Sequence, residues 1–166
     1  MTLEQLANLA EVFGTVVVAI TLIFLTVQIR RNTRAAHLST FHNISEAFRT
    51  QYALVAGSEL VAAVYMTGMT RPQELNDAAR VQFYALMHNQ IRVYENAFYQ
   101  QAEGALDARY WDGMQGQMLN TASLAGFTQY WSDRRGWYSE SFQHHVDDVL
   151  ISGAKVFDFA GTAGST

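Results

Sequence analysis

Between Val12 and Ile29 the chain reads VFGTVVVAITLIFLTVQI, a run without a charged residue that ends abruptly at Arg30 and Arg31. A helix crossing the hydrocarbon core of a bilayer needs about 20 mostly apolar residues, each rising about 1.5 Å. The run and its flanks meet that length, so the sequence predicts a retained transmembrane helix. A core helix of a soluble protein would show polar positions along at least one face. Here the polar side chains are Thr15, Thr21, Thr26 and Gln28, and a threonine hydroxyl in lipid can return its hydrogen bond to its own helix backbone. A cleaved signal peptide opens with positive charge and closes with small residues. This stretch opens with Glu4 and Glu11 and closes with arginines.

The flanks set an orientation. All 11 Lys and Arg residues follow Ile29, three of them crowded at Arg30, Arg31 and Arg34. Positive flanks stay in the cytoplasm, so the expectation is an outer N-terminus and a cytoplasmic domain from the residues that follow. The absence of cysteine agrees with a reducing compartment. The chain of 166 residues has a net charge of −4. Its acidic and basic residues are nearly balanced after Ile29, which leaves no basic face for nucleic acid. Three juxtamembrane arginines are fewer than a dedicated lipid-reading cluster carries. They read as topology signals.

Thr2-Leu3-Glu4-Gln5 has the form of a capping box and predicts a helix start. Ala10 and Gly14 form a small-xxx-small pair of the kind that lets helices approach in lipid. With no Gly or Pro between Gly14 and Gly57, the transmembrane helix is expected to continue into the cytoplasm as one rod. Leu38, Phe41, Ser45, Phe48, Tyr52 and Val55 step by threes and fours, the spacing of a coiled-coil seam. Aromatic residues at such positions suit a globular core better than a two-stranded zipper, which favours packing within the chain over packing on a second copy.

Gly57-Ser58-Glu59 breaks the rod, and a short helix over Leu60–Met69 follows. Thr70 as a hydroxyl N-cap, Pro72 in the first turn and Gln73 in capping-box position predict a central helix over Pro72–Glu103. Its apolar residues cover most of its circumference, the pattern of a buried helix. Tyr84, His88, Arg92, Glu95 and Tyr99 then form a polar stripe on one face, at steps of four, four, three and four. Enclosed charges must be paired. The stripe reads first as an internal Arg92–Glu95 ion pair, finished by His88 and the tyrosine hydroxyls, that fixes how helices dock. The alternative is a small-anion or proton-relay site, with Arg92 as clamp, Glu95 as its partner and His88 as the titrating group.

The rest is rich in aromatics. Asp107 is expected to cap a helix to Asn120, a second helix to span Ser123–Arg135, and Ser139 or Ser141 to cap a last one ended by Gly153. Phe157 and Phe159 are expected to tack the tail down, and residues 161–166 to be flexible. Arg134 and Arg135 lie near Trp131 and Trp137, within reach of cation–π stacking or an acidic partner. Glu140, His144 and Asp148 share a helix face, with His145 and Asp147 adjacent, but no Glu-x-x-His motif completes a di-iron set. No metal or cofactor site is assigned. There is no G-x-S-x-G, no Gly-rich phosphate loop and no cysteine nucleophile.

QIRRNTRAA after the apolar run, RVYENAFYQ in the central helix, GALD followed by YWDG, then YWSDRR and FQHHVDDVL occur in an order and spacing that resembles a widespread family of bacterial proteins. Each member has one N-terminal inner-membrane helix and a small cytoplasmic helical domain. The resemblance runs from the apolar run to Leu150 and implies a bacterial inner-membrane protein. It brings no activity with it, and the His144-His145 pair is not part of its pattern.

The expectation is therefore an all-α chain in three parts. Residues 1–31 form the N-terminal segment and transmembrane helix, residues 32–160 a cytoplasmic bundle of about five helices, and residues 161–166 a tail. The leading function is a non-enzymatic scaffold or interaction subunit, with the lipid bilayer and either copies of itself or other membrane subunits as partners. A homo-oligomeric channel or sensor comes second. A ligand site or enzyme on the central helix comes third.

Overall fold

The structure, a computed structural model, describes residues 2–151. It is all-α, with a long helix α1 (Leu3–Ala56) followed by α2 (Glu59–Thr70), α3 (Asp77–Ala102), α4 (Ala108–Ala122), α5 (Ala125–Arg134) and α6 (Glu140–Ile151). Short 3-10 turns precede α3 and α6, at Pro72–Glu74 and Arg135–Trp137. Among the described residues there is no strand. The expectations for Gly153, Phe157, Phe159 and the tail lie outside the described residues.

The chain divides into two units between Ser39 and Thr40, within α1. The first unit is α1 up to that point, long and apolar enough to cross a membrane. Its threonines satisfy themselves. Thr15, Thr21 and Thr26 donate to the carbonyls of Glu11, Val17 and Leu22 at 2.9, 2.8 and 2.8 Å. None of the most apolar 18-residue window is buried, and the space around Gly14 is open.

The second unit begins with the last turns of α1. Phe41 meets Tyr110 edge-on at 4.5 Å, Ser45 shares a 3.0 Å hydrogen bond with the same tyrosine, and Phe48 packs on Tyr94 at 5.2 Å. Tyr52 accepts from Gln117. The predicted seam thus packs within the chain, but its buried edge is displaced. Ile44 and Gln51 are buried while Leu38, Phe41 and Tyr52 remain exposed, because Gln51 turns inward to donate to the Leu86 carbonyl at 2.9 Å. A buried amide is tolerated in a core when a hydrogen bond offsets its desolvation.

Ser58 caps α2, accepting from Val61 N–H. The expected start of the central helix is corrected. Thr70 ends α2, its hydroxyl donating back to the Met66 carbonyl at 2.7 Å, and Pro72 opens only a 3-10 turn. The cap of α3 is Asn76, which accepts from Ala79 N–H at 2.9 Å. Asparagine outranks threonine as an N-cap, and the chain takes extended backbone at Leu75 and Asn76 before the helix begins. The far end closes as a Schellman turn, with Gly104 at φ +69° and Ala105 N–H on the Gln100 carbonyl.

α3 is not buried all round, as its composition suggests. Phe83, Met87, Ile91, Tyr94 and Ala97 have no exposed surface, yet Val81, Ala85, Asn89, Arg92, Asn96 and Tyr99 form an open stripe. Val81 is 72% exposed. The aromatic half of the sequence fills the other side of the core, where Phe127, Tyr130 and Phe142 are fully enclosed. Asp107 caps α4 through Arg109 N–H. α5 starts at Ala125, two residues later than predicted, because Ser123 donates to the Asn120 carbonyl and closes α4 instead. The α2–α5 crossing depends on absent side chains. A Cβ on Gly126 would run into the Gly68 carbonyl and stand 2.7 Å from Met69 Cα.

Candidate functional site

The polar stripe of α3 meets one continuous piece of chain, from Tyr130 in α5 through the 3-10 turn to Ser141 in α6. Glu95, only 6% exposed, is the centre of that meeting. Its Oε2 accepts from Arg92 Nη1 at 2.5 Å, and its Oε1 accepts from both Ser139 N–H at 2.9 Å and Ser139 Oγ at 3.0 Å. Ser139 immediately precedes α6, so the carboxylate of one helix caps the N-terminus of another. Free N–H groups and the positive end of the helix dipole both favour an anion there. Arg92 continues the clamp, donating from Nη2 to the Trp137 carbonyl at 3.0 Å and lying 4.9 Å over the Tyr138 ring.

His88 lies one turn earlier. Its Nδ1 is 3.3 Å from the hydroxyls of both Tyr130 and Tyr138, which are 2.8 Å from each other. Burial, and then the Arg92 charge, lower the His88 pKa and favour the neutral ring. Burial pushes the Tyr130 and Tyr138 hydroxyls up, so they keep their protons. The trio is three neutral groups sharing hydrogens. At one end of the stripe Tyr84 donates to Asp133 Oδ2 at 2.5 Å. Burial and that carboxylate raise its pKa to about 12, and the same bond lowers Asp133. Arg134 stacks over the rings of Tyr84 and Trp137 at 5.5 and 4.9 Å. At the other end Tyr99 shares a 3.2 Å hydrogen bond with Ser141.

The structure thus brings all five predicted residues to a single seam. Its polar groups are bonded largely to one another. Both oxygens of Glu95 are engaged, both terminal nitrogens of Arg92 are engaged, and His88 is turned toward two tyrosines that hold their protons. A shallow cleft of about 470 Å³ runs beside the stripe, walled by Arg80, Tyr84, His88, Tyr130, Arg134 and Trp137. Trp137, Ser139 and Asp133 escaped the sequence reading as partners of the stripe, since nothing in local spacing links residues 40 positions apart.

The ligand-type residues of α6 separate. Glu140, His144 and Asp148 are exposed, and His144 Nε2 is 3.9 Å from Glu140 Oε1. Asp147 accepts from Trp131 Nε1 at 2.8 Å and pairs with Arg135 at 2.5 Å. His145 turns inward onto Phe98 and Trp111, ring centroids 4.9 and 5.6 Å away, with its Nε2 buried and unpartnered. Among the described residues no three ligand-type side chains converge.

A second cavity, of about 330 Å³, opens between α2, α3, α4 and the end of α1. Its wall includes Tyr52, Tyr65, Gln90, Gln117 and Thr121 beside Met66 and Met69. It escaped the sequence reading, and Gln90, a buried amide among the apolar residues of α3, is a signal that could have found it. No family model, curated protein or solved structure matches this chain.

Proposed function

We propose that the chain is a non-enzymatic scaffold or interaction subunit, anchored in a bacterial inner membrane by residues 12–29 and assembling with copies of itself or with a larger membrane complex. The observation that carries this reading is the apolar run. Large apolar side chains from Phe13 to Ile29 stand exposed, and a continuous apolar surface of that length calls for lipid or a partner. The self-bonded threonines suit an anchor better than a threonine-lined pore, since their hydroxyls are already committed to the backbone. The arginines after Ile29 favour a cytoplasmic helical domain. The saturated Arg92–Glu95–Ser139 clamp supports a structural role for the stripe, and exposed Leu54, Leu60, Val81, Tyr99 and Trp137 offer contact surface.

The test is the mass of the native particle after gentle detergent extraction. A closed multiple of the 18.6 kDa chain indicates self-assembly, and a heavier mixed particle indicates an accessory subunit whose partner can be identified. A monomer with nothing attached would overturn the reading.

A further inference from the structure

Among the described residues the second unit carries seven arginines, and five of them form ion pairs with carboxylates at 2.5–3.0 Å. The two that do not are Arg80 and Arg134. They stand together as walls of the shallow cleft of about 470 Å³ beside the stripe. A neighbouring cleft of about 460 Å³ shares both of them, with Tyr84.

Arg134 is also the one arginine of the seven that is half-buried rather than exposed. A charged side chain is rarely enclosed without a counter-charge. Its guanidinium lies over the rings of Tyr84 and Trp137 at 5.5 and 4.9 Å, and a stacked guanidinium keeps the N–H groups along its edge for acceptors in its own plane. Nη1 donates to the Asp133 carbonyl at 3.1 Å, and Arg80 Nη2 donates to the Leu75 carbonyl at 3.2 Å. Each fork of five donors thus has most of them left for another acceptor. The nearby carboxylates do not take them. Asp133 accepts from Tyr84 at 2.5 Å and from Gln129 at 3.4 Å, and Asp77 is exposed in the first turn of α3, where the helix dipole favours it. Val81 and Trp137, 72% and 58% exposed, give the cleft an apolar side.

We propose that Arg80 and Arg134 bind an oxyanion group, phosphate or carboxylate, carried on an apolar body that packs against Val81 and Trp137. Guanidinium forks match the oxygens of such groups, and the anion supplies the counter-charge that the enclosed arginine lacks among the described residues. Arg92 is not part of the site, since its terminal nitrogens are committed to Glu95 and the Trp137 carbonyl. The site does not rest on the scaffold reading. A soluble ester or acid and an anionic lipid headgroup present the same chemistry to it.

The experiment uses the full chain labelled with 5-fluorotryptophan in phosphatidylcholine nanodiscs, titrated with phenyl phosphate, benzoate and benzylammonium. Its three tryptophans are distinct probes, because Trp137 is exposed while Trp111 and Trp131 are buried. The Trp137 signal is expected to shift saturably with one or both anions and not with benzylammonium, while the other two stay in place. Arg134→Gln and Arg80→Gln should each weaken binding about tenfold, the loss of a charge-assisted hydrogen bond. Arg80 is exposed, so its variant carries the test if Arg134→Gln does not fold. Arg49→Gln, which removes an equal charge from an ion pair on α1, should bind as the parent chain does. Nanodiscs containing phosphatidylglycerol separate the sources. A Trp137 signal already shifted there, with phenyl phosphate excluded, identifies a lipid headgroup, and an unshifted signal identifies a soluble anion. No saturable shift with either anion, a shift as strong with benzylammonium, or binding unchanged by both substitutions would overturn the proposal.

Discussion

His145 shows how far one side chain can depart from what its neighbours suggest. It sits in a polar run, FQHHVDD, yet packs among Phe98, Trp111 and Phe142 with a buried, unpartnered nitrogen. Desolvation lowers its pKa, only partly opposed by Asp148. The unfolded chain, with histidine near about 6.5, therefore binds the proton more readily than the folded one. Stability from this group is complete above that value and is lost as pH falls below it. His88 acts in the same direction. Asp133 and Asp147 are lowered from 3.8, so their contribution is lost only in more acid solution. His145→Phe should leave stability at pH 7.5 unchanged or raised and should reduce the loss between pH 7.5 and 5.5, read from urea midpoints of the full chain in micelles. An unaltered pH dependence would remove His145 from the core.

Two contacts decide how the helices dock. Glu95 holds the start of α6, and Glu95→Gln gives up the ionic component of its bonds to Arg92 and Ser139. A loss of about 1–3 kcal/mol is expected, measured as a lower urea midpoint. Ser139→Ala in the same background should add less than it does alone, since both changes remove one network. Full additivity would mean the cap is not shared. Gly126 is the other contact. Alanine there drives a methyl into the backbone of α2, a clash that no rotamer change relieves, and overpacking of this kind costs about 1–3 kcal/mol. Alanine at Gly113, where the space is open, is the control and should be tolerated. The Asp107 cap and the break at Gly57 and Ser58 were legible because they act within four residues. The α3 start was misplaced because Thr70 and Asn76 both had capping chemistry, and the choice between them depended on where the chain had to turn.

For the whole chain, the proposed topology makes a direct prediction. The sequence has no cysteine, so single cysteines at Thr2 and Ser132 give clean labelling with a membrane-impermeant maleimide. Thr2→Cys should react in intact cells and Ser132→Cys only after lysis. The opposite pattern would reverse the orientation, and labelling of both in intact cells would argue against an anchor with a cytoplasmic domain.

The sequence by itself determined the elements whose causes are local or periodic. These are the long apolar helix with threonines that bond to their own backbone, the all-α class, and the face of α3 that carries Tyr84, His88, Arg92, Glu95 and Tyr99. Helical periodicity places residues on a face whatever lies opposite, and hydropathy needs no partner to be read. Only the tertiary structure decided what that face meets. Ser139 reaches Glu95 across 44 positions of chain, Gly126 reaches Gly68 because two backbones cross, and the cavity beside Gln90 exists because four helices leave a gap lined by side chains that are far apart in the sequence. Long-range contacts carry no local signature. They follow from how well whole surfaces fill space together.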